Sequence, residues 1–233
     1  MRTYGWVLAL GTVVSMAGWG VPRAKAADYS FAWLDPDKKI YVLQNRKFTK
    51  AGRPSVSIGG GLGLSNPFRN TTVVNGQIEY FLSEELGIDV FYAYSFQTNS
   101  AVYNQLRSQV PTALPTAREF RGQYGALIKW IPWYAKINVF NSILYFDWHF
   151  ATGIGQIASD VDINTNASTA ANYVAQTLTG FYLGTGHTYH LTENFDVKLD
   201  LLGSFYQAPE FGNSGSSYWF SNFMLSAGVG YRL

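Results

Sequence analysis

The segment Leu86–Gln97, which reads LGIDVFYAYSFQ, determines the predicted fold. Apolar side chains occupy every second position, and mostly small or polar residues alternate with them, Phe91 being the exception; the apolar set is Leu86, Ile88, Val90, Tyr92, Tyr94 and Phe96. Successive side chains of a strand point to opposite faces, so one face of this segment is continuously apolar. Strands of soluble proteins average about five or six residues, whereas membrane-spanning strands need about 9–11. The segment therefore predicts a strand that crosses a membrane.

Seven further segments show the same alternation, at about residues 55–64, 72–82, 118–131, 143–157, 176–189, 195–206 and 218–233. Short connections (83–85 and 192–194) alternate with long ones (65–71, 98–117, 158–173 and 207–217), as in outer-membrane barrels with periplasmic turns and surface loops. The pattern predicts an all-β fold, an eight-stranded antiparallel transmembrane β-barrel. Residues 132–143 do not fit it, because a short turn is expected there and a longer connection is predicted.

The composition agrees with a barrel and excludes several other classes. Charged residues make up only 14% of the chain, the net charge is +2, and aromatic residues reach 17%. The mean hydropathy is nevertheless −0.03, because apolar and polar positions cancel. The chain has no excess of basic residues, so its composition does not suggest nucleic-acid binding. The absence of cysteine excludes disulfides, thiol nucleophiles and cysteine-based metal sites, and no cofactor is predicted.

The N-terminus has the features of a signal peptide, predicted over residues 1–26. Arg2 is followed by an apolar stretch from Trp6 to Trp19 and then by Ala24-Lys25-Ala26. The alternative, a transmembrane anchor, is disfavoured because a helical span needs about 20 apolar residues. Export through the Sec pathway to the outer membrane of a Gram-negative cell is expected. Residues 27–53 are then a periplasmic lead-in, and residues 54–233 form the barrel.

The positions that alternate with the apolar face carry charges of both signs. An eight-stranded barrel is just wide enough for side chains to fill, so these charges must pair with one another. We predict that they plug the lumen and that a single barrel does not conduct. The predicted interior network comprises Glu79, Asp89, Glu119, Arg121, Lys129, Asp147, Asp196, Lys198, Asp200 and Arg232.

Two further sets of residues are expected to matter for membrane insertion. Tryptophan favours the depth of the lipid headgroups, so interface anchors are predicted at Trp130, Trp133, Trp148 and Trp219, with plain lipid-facing bulk as the alternative. The C-terminal octet 226–233 matches the signal read by the barrel assembly machinery at Gly228, Tyr231 and Leu233. A terminal Leu in place of the commoner Phe weakens that match.

No enzyme is predicted. The only candidate arrangement pairs His149 with Asp147 on the inward face, and a lipid-modifying barrel would also need a nucleophilic serine, which nothing marks. His187 and His190 are too few for a metal site, and none is predicted.

Several motifs resemble the outer-membrane β-barrel family of predatory and myxobacterial lineages. They are Tyr41–Phe48 (YVLQNRKF), Gly52-Arg53 before a glycine-rich strand, Lys136, Phe140-Asn141, Phe146-Asp147 and Gly153-x-Gly155. The chain is also similar to porin-like proteins of bacterial predators. The resemblance implies an abundant envelope barrel that acts as one stave of a homo-oligomeric ring around a central, lipid-filled space.

Outer-membrane lipids and further copies of the chain are therefore the expected partners, with no nucleic acid. The aromatic outer face and small outer residues such as Gly76 and Ala126 agree with packing between barrels. The alternative is a monomeric OmpA-like barrel that serves as a surface anchor or binds through loops 98–117 and 158–173. A soluble lipocalin-like barrel is disfavoured by the apolar face of the segment 86–97.

Overall fold

The computed structural model describes residues 46–110, 118–162, 172–211 and 214–233. The predicted signal peptide, and the lead-in as far as residue 45, lie outside the described residues. The strands are β1 (Pro54–Gly63), β2 (Arg69–Phe81), β3 (Leu86–Asn99), β4 (Arg118–Val139), β5 (Ser142–Asp162), β6 (Tyr173–His190), β7 (Phe195–Phe211) and β8 (Ser214–Arg232).

Each strand pairs antiparallel with its neighbours in the sequence, and the sheet closes on itself. The order is β1 to β8, and β1 pairs with β8 from Ser55↔Arg232 to Gly63↔Met224. The predicted all-β fold of eight antiparallel strands in a barrel is confirmed. Closure satisfies the backbone groups that an open sheet would leave unpaired at its edges.

The prediction of a long connection at residues 132–143 is wrong. β4 and β5 continue through it as a hairpin, with pairs from Trp133↔Trp148 to Val139↔Ser142. The turn consists of Phe140 and Asn141, both with positive φ (48° and 64°), as two-residue hairpin turns require. Pro132 suggested a strand end, but it lies in a register shift between Trp130 and Trp133, where it has no partner residue in β5; such irregularities are where strands tolerate proline.

The long connection between β3 and β4 contains a helix, α1 (Ala101–Gln109). Its first turn is capped by Ser100, whose Oγ accepts a hydrogen bond from the backbone N–H of Tyr103 at 3.2 Å. Serine is a preferred residue at this position because it satisfies an otherwise unpaired amide. The sequence predicted only a polar link here, since a helix of nine residues with one buried side chain has little amphipathic signal.

Two groups of inward-facing glycines lie where neighbouring strands approach too closely for a side chain. A Cβ on Gly59 or Gly61 would lie 2.6 or 2.3 Å from a carbonyl oxygen of β8. On the opposite side of the barrel, a Cβ on Gly153 or Gly155 would lie 2.0 or 2.1 Å from a carbonyl oxygen of β4. At these positions the seams therefore leave no room for a side chain, and the lumen is filled by the other inward-facing positions.

Candidate functional site

The barrel has a turn end and a loop end. The turn end carries the short turns β2–β3, β4–β5 and β6–β7, together with the C-terminus; the loop end carries the other connections. Most of the loop half of the lumen is apolar, with polar side chains returning near the loop end. Its core includes Phe91, Leu127, Ile157, Tyr182, Leu202, Tyr206 and Met224. Phe91 and Tyr182 pack edge to face, with centroids 5.1 Å apart. The turn half is polar and contains the candidate site.

The first group of charges, the turn-end cluster, is formed by Lys50, Asp147, His190, Asp196 and Arg232. The His190 ring contacts Asp196 Oδ1 through Nδ1 at 2.6 Å and Asp147 Oδ2 through Nε2 at 3.0 Å. Lys50 Nζ donates to the same Asp147 oxygen, and Arg232 Nη2 donates to Asp196 Oδ2 at 2.6 Å. The contacts thus form a chain in the order Lys50, Asp147, His190, Asp196 and Arg232, with the histidine in the middle. All five side chains are almost completely buried.

The second group, the mid-barrel cluster, lies further toward the loop end and contains Glu79, Asp89, Lys129, His149, Lys198 and Asp200. Glu79 accepts from Lys198 at 2.9 Å and lies 3.4 Å from Lys129, while Lys129 lies 3.1 Å from Asp89. On the other side of the lumen, His149 Nε2 lies 3.1 Å from Asp200 Oδ1. Because opposite charges lie this close, the cluster offsets part of its own desolvation.

The segment Arg46–Arg53 covers the turn end of the lumen. The carboxylate of Glu84 accepts hydrogen bonds from the backbone amides of Lys50 and Ala51, both at 3.0 Å, and Phe48 packs edge to face on Tyr145. Burial lowers the pKa of the Lys50 ammonium below its usual range, and the adjacent Asp147 carboxylate opposes that shift. The segment therefore inserts a lysine into the lumen and closes it.

Eight of the ten residues predicted as an interior network lie in these two clusters: Glu79, Asp89, Lys129, Asp147, Asp196, Lys198, Asp200 and Arg232. Glu119 lies near the loop end, where its Oε1 is 2.7 Å from Arg69 Nη2. Arg121 is exposed, so the prediction that it points inward is wrong. A register shift between Phe120 and Gly122 reverses the alternation: Phe120 is buried, and the exposed Arg121 pairs with the mostly buried Asp160 at 2.5 Å.

Three members of the clusters are absent from the predicted network: Lys50, His149 and His190. Lys50 lies in the segment interpreted as a periplasmic lead-in, and His190 ends a strand whose alternation is weak. The proposed pairing of His149 with Asp147 is also wrong, because His149 contacts Asp200 while Asp147 contacts Lys50 and His190. The basic residues that crowd the lead-in, beside an excess of inward carboxylates, were the available signal for Lys50.

The outer surface is apolar over most of its height. On β3, the outward side chains of Leu86, Ile88, Val90, Tyr92, Tyr94 and Phe96 are all substantially exposed. At about 3.3 Å per residue and a strand tilt of 35–45°, the distance from the first to the last corresponds to about 25 Å along the barrel axis. That height matches the apolar band of membrane barrels, about 25 Å.

The four tryptophans lie near the two borders of this band. Trp130, Trp133 and Trp148 are exposed on β4 and β5 toward the turn end, where the rings of Trp133 and Trp148 pack at a tilt of 43° with centroids 5.1 Å apart. Trp219 lies on β8 toward the loop end and is 65% exposed. Membrane barrels typically carry aromatic rings at both borders of the apolar band. The role of these four tryptophans as interface anchors stays a prediction.

The C-terminal residues take part in closing the barrel. Gly228 faces Gly59 across the seam, and a Cβ there would lie 2.6 Å from the carbonyl oxygen of Ile58. Tyr231 packs on Phe195 on the outer face, and Leu233 donates its amide to the Pro54 carbonyl at 3.0 Å. These residues hold β8 against β1 at the turn end.

Two findings concern only the described parts of the chain. Within residues 46–110, 118–162, 172–211 and 214–233, no group of three or more histidine and carboxylate side chains is placed to hold a metal ion. In the same ranges, no helix is long and apolar enough to span a membrane.

Comparisons with known proteins give structural neighbours only. No family model and no curated protein matches the chain. Neisserial surface protein A has a TM-score of 0.48 at 14% identity, covering 78% of this chain and 98% of that one. The N-terminal β-barrel domain of OprF from Pseudomonas aeruginosa has a TM-score of 0.46 at 16% identity, covering 77% and 97%. Ail, the attachment invasion locus protein of Yersinia pestis, has a TM-score of 0.45 at 13% identity, covering 78% and 99%.

At these identities and TM-scores the neighbours carry no argument about function. The barrel is defined by the strand pairing of this chain itself. The suggested relation to predatory and myxobacterial lineages stays a prediction.

Proposed function

We propose that this protein is an integral outer-membrane β-barrel with a structural, porin-like role and a closed lumen. The observation that carries the proposal is the combination of an apolar outer band, about 25 Å high and bordered by aromatic rings, with a lumen filled by paired charges and an apolar core. In water such a surface would aggregate, whereas in a bilayer it is solvated. The turn end then faces the periplasm.

Fractionation and conductance together test this proposal. The protein, expressed with its leader, should co-sediment with outer-membrane markers after density-gradient separation. The purified protein in planar bilayers should give no steady conductance, because the two clusters and the core occupy the lumen. A soluble periplasmic protein would refute the membrane assignment, and regular conductance steps from single barrels would refute the closed lumen.

The C-terminal residues give the expected route of insertion. Tyr231, near the end of β8, and Leu233, which follows that strand, are exposed at the turn end of the barrel, where a partner protein can reach them. We propose that the barrel assembly machinery recognises them, after export through the Sec pathway. Leu233→Asp should reduce the amount of assembled barrel, whereas the outward control Leu225→Asn should reduce it less.

Self-association into a ring is the finer part of the proposal. The outer face near the turn end carries a groove of about 430 Å³ between β1, β7 and β8, lined by Val56, Ile58, Phe195, Val229 and Tyr231. A neighbouring barrel or a lipid chain would fill this apolar groove. Crosslinking in native membranes should give a ladder of homo-oligomers if barrels form a ring. A strictly monomeric pattern would leave the monomeric barrel, with binding through the connections at the loop end.

The absence of enzymatic activity stays a proposal as well. It is supported by the interior geometry, since the carboxylates near His149 and His190 are engaged with cations or with the rings themselves. Lipid A from cells that overproduce the protein should have an unchanged mass spectrum. A new acylated or deacylated species would contradict this proposal.

A further inference from the structure

A small cavity lies at the border between the polar and apolar halves of the lumen. Its volume is about 20 Å³. On the turn side it is lined by polar side chains: Gln77, Asp89, Lys129, His149 and Asp200. On the loop side it is lined by apolar ones: Phe91, Leu127, Ala151, Leu202 and Met224. The cavity therefore has hydrogen-bonding groups on one side only.

Asp89 is the unusual member of this lining. Its side chain is completely buried, and Lys129 Nζ lies 3.1 Å from Oδ2. Neither carboxylate oxygen has a hydrogen-bond partner among the described residues, so the contact with Lys129 is an ion pair, and Oδ1 lacks even that. A buried carboxylate oxygen without a partner is energetically costly, so buried acceptors are nearly always satisfied.

We propose that this cavity binds one ordered water molecule, which donates a hydrogen bond to Oδ1 of Asp89. A buried water needs roughly 10–15 Å³ and two to four polar partners. The cavity meets the first requirement, and its five polar side chains meet the second. Its apolar side offers nothing to a second water, so the site takes a single molecule.

A cation is disfavoured as the occupant of the same space. The Lys129 ammonium lines the cavity and would repel a cation, whereas it can donate a hydrogen bond to water. The carboxylates also do not form a metal-binding group within the described residues. A water that accepts from Lys129 and donates to Asp89 agrees with both facts.

A crystal structure of the detergent-solubilised protein, at a resolution that shows ordered water, tests the proposal directly. We expect one spherical density peak within hydrogen-bond distance of Asp89 and of at least one other polar lining group. Crystals transferred to rubidium chloride should show no anomalous peak there. An anomalous peak would identify a cation site and overturn the proposal. A wild-type map with no density peak in the cavity would also overturn it.

Two variants separate the role of Asp89 from that of the space itself. Asp89→Leu removes the acceptor and fills part of the cavity, so the peak should disappear. Asp89→Asn has nearly the same shape and keeps a carbonyl oxygen, so the peak should remain. Persistence of the peak in Asp89→Leu would show that Asp89 does not hold it. If Asp89→Leu does not fold, the wild-type and Asp89→Asn maps still decide the matter.

Discussion

The two halves of the barrel interior are filled by different chemistry. The turn half is held by ion pairs that join β2 to β4, β7 to β8, and β5 to Lys50 of the segment Arg46–Arg53. Most of the loop half is held by close packing of aromatic and aliphatic side chains. Stability in the turn half depends on each charge keeping its partner, since a buried unpaired charge is costly. Stability in the loop half depends on how completely the side chains fill the lumen. A substitution there should lower the free energy of unfolding in proportion to the buried atoms that it removes.

The largest effect is expected where one buried charge is removed from the turn half. Lys129→Met leaves the buried carboxylates of Glu79 and Asp89 without a shared partner, so the free energy of unfolding should fall by about 3–5 kcal/mol. In the control Arg121→Met, the guanidinium that is lost is 57% exposed, although its partner Asp160 is mostly buried, so the loss should be smaller than for Lys129→Met. Urea titration of protein refolded in lipid vesicles measures both. Equal effects would contradict the difference in burial.

An intermediate effect is expected at the glycine seams. Gly153→Ala places a methyl group against the carbonyl of Ala126, where an ideal Cβ would lie at 2.0 Å, and should cost about 1–3 kcal/mol. The control Gly60→Ala has its nearest neighbour at 3.6 Å, an ordinary contact, and should be nearly neutral. The same urea titration compares them. A neutral Gly153→Ala would show that the strands at this seam separate easily.

The smallest effect is expected from removing one methyl group in the loop half. Ile157→Val deletes it from a completely buried side chain and should cost about 0.5–1.5 kcal/mol. Ile154→Val makes the same change on the same strand, but Ile154 is 70% exposed on the outer face, so the loss should be close to zero. If the two losses are equal in lipid vesicles, the assignment of inner and outer faces on β5 is wrong.

The sequence predicted the barrel because period-two alternation persists through β3, β7 and β8, whose membrane-facing and lumen-facing positions differ strongly in polarity. It failed where alternation is interrupted. Register shifts near Arg121 and Pro132 change which face a residue occupies or hide a continuing strand, and both depend on pairing with another strand. The pairing partners of His149, His190 and Lys50 follow from positions on different strands, so no spacing within one strand predicts them.

The most direct test of the central claim uses the segment Leu86–Gln97 again. The chain has no cysteine, so single cysteines at Val90, Tyr92, Tyr94, Phe91 and Ala93 can each carry a nitroxide without background labelling. In lipid vesicles, labels at Val90, Tyr92 and Tyr94 should be relaxed strongly by lipid-soluble oxygen, while labels at Phe91 and Ala93 should be protected from oxygen and from water-soluble reagents. Accessibility without this alternation, or water-soluble relaxation at Val90, Tyr92 and Tyr94, would contradict a closed barrel with a lipid-facing outer surface.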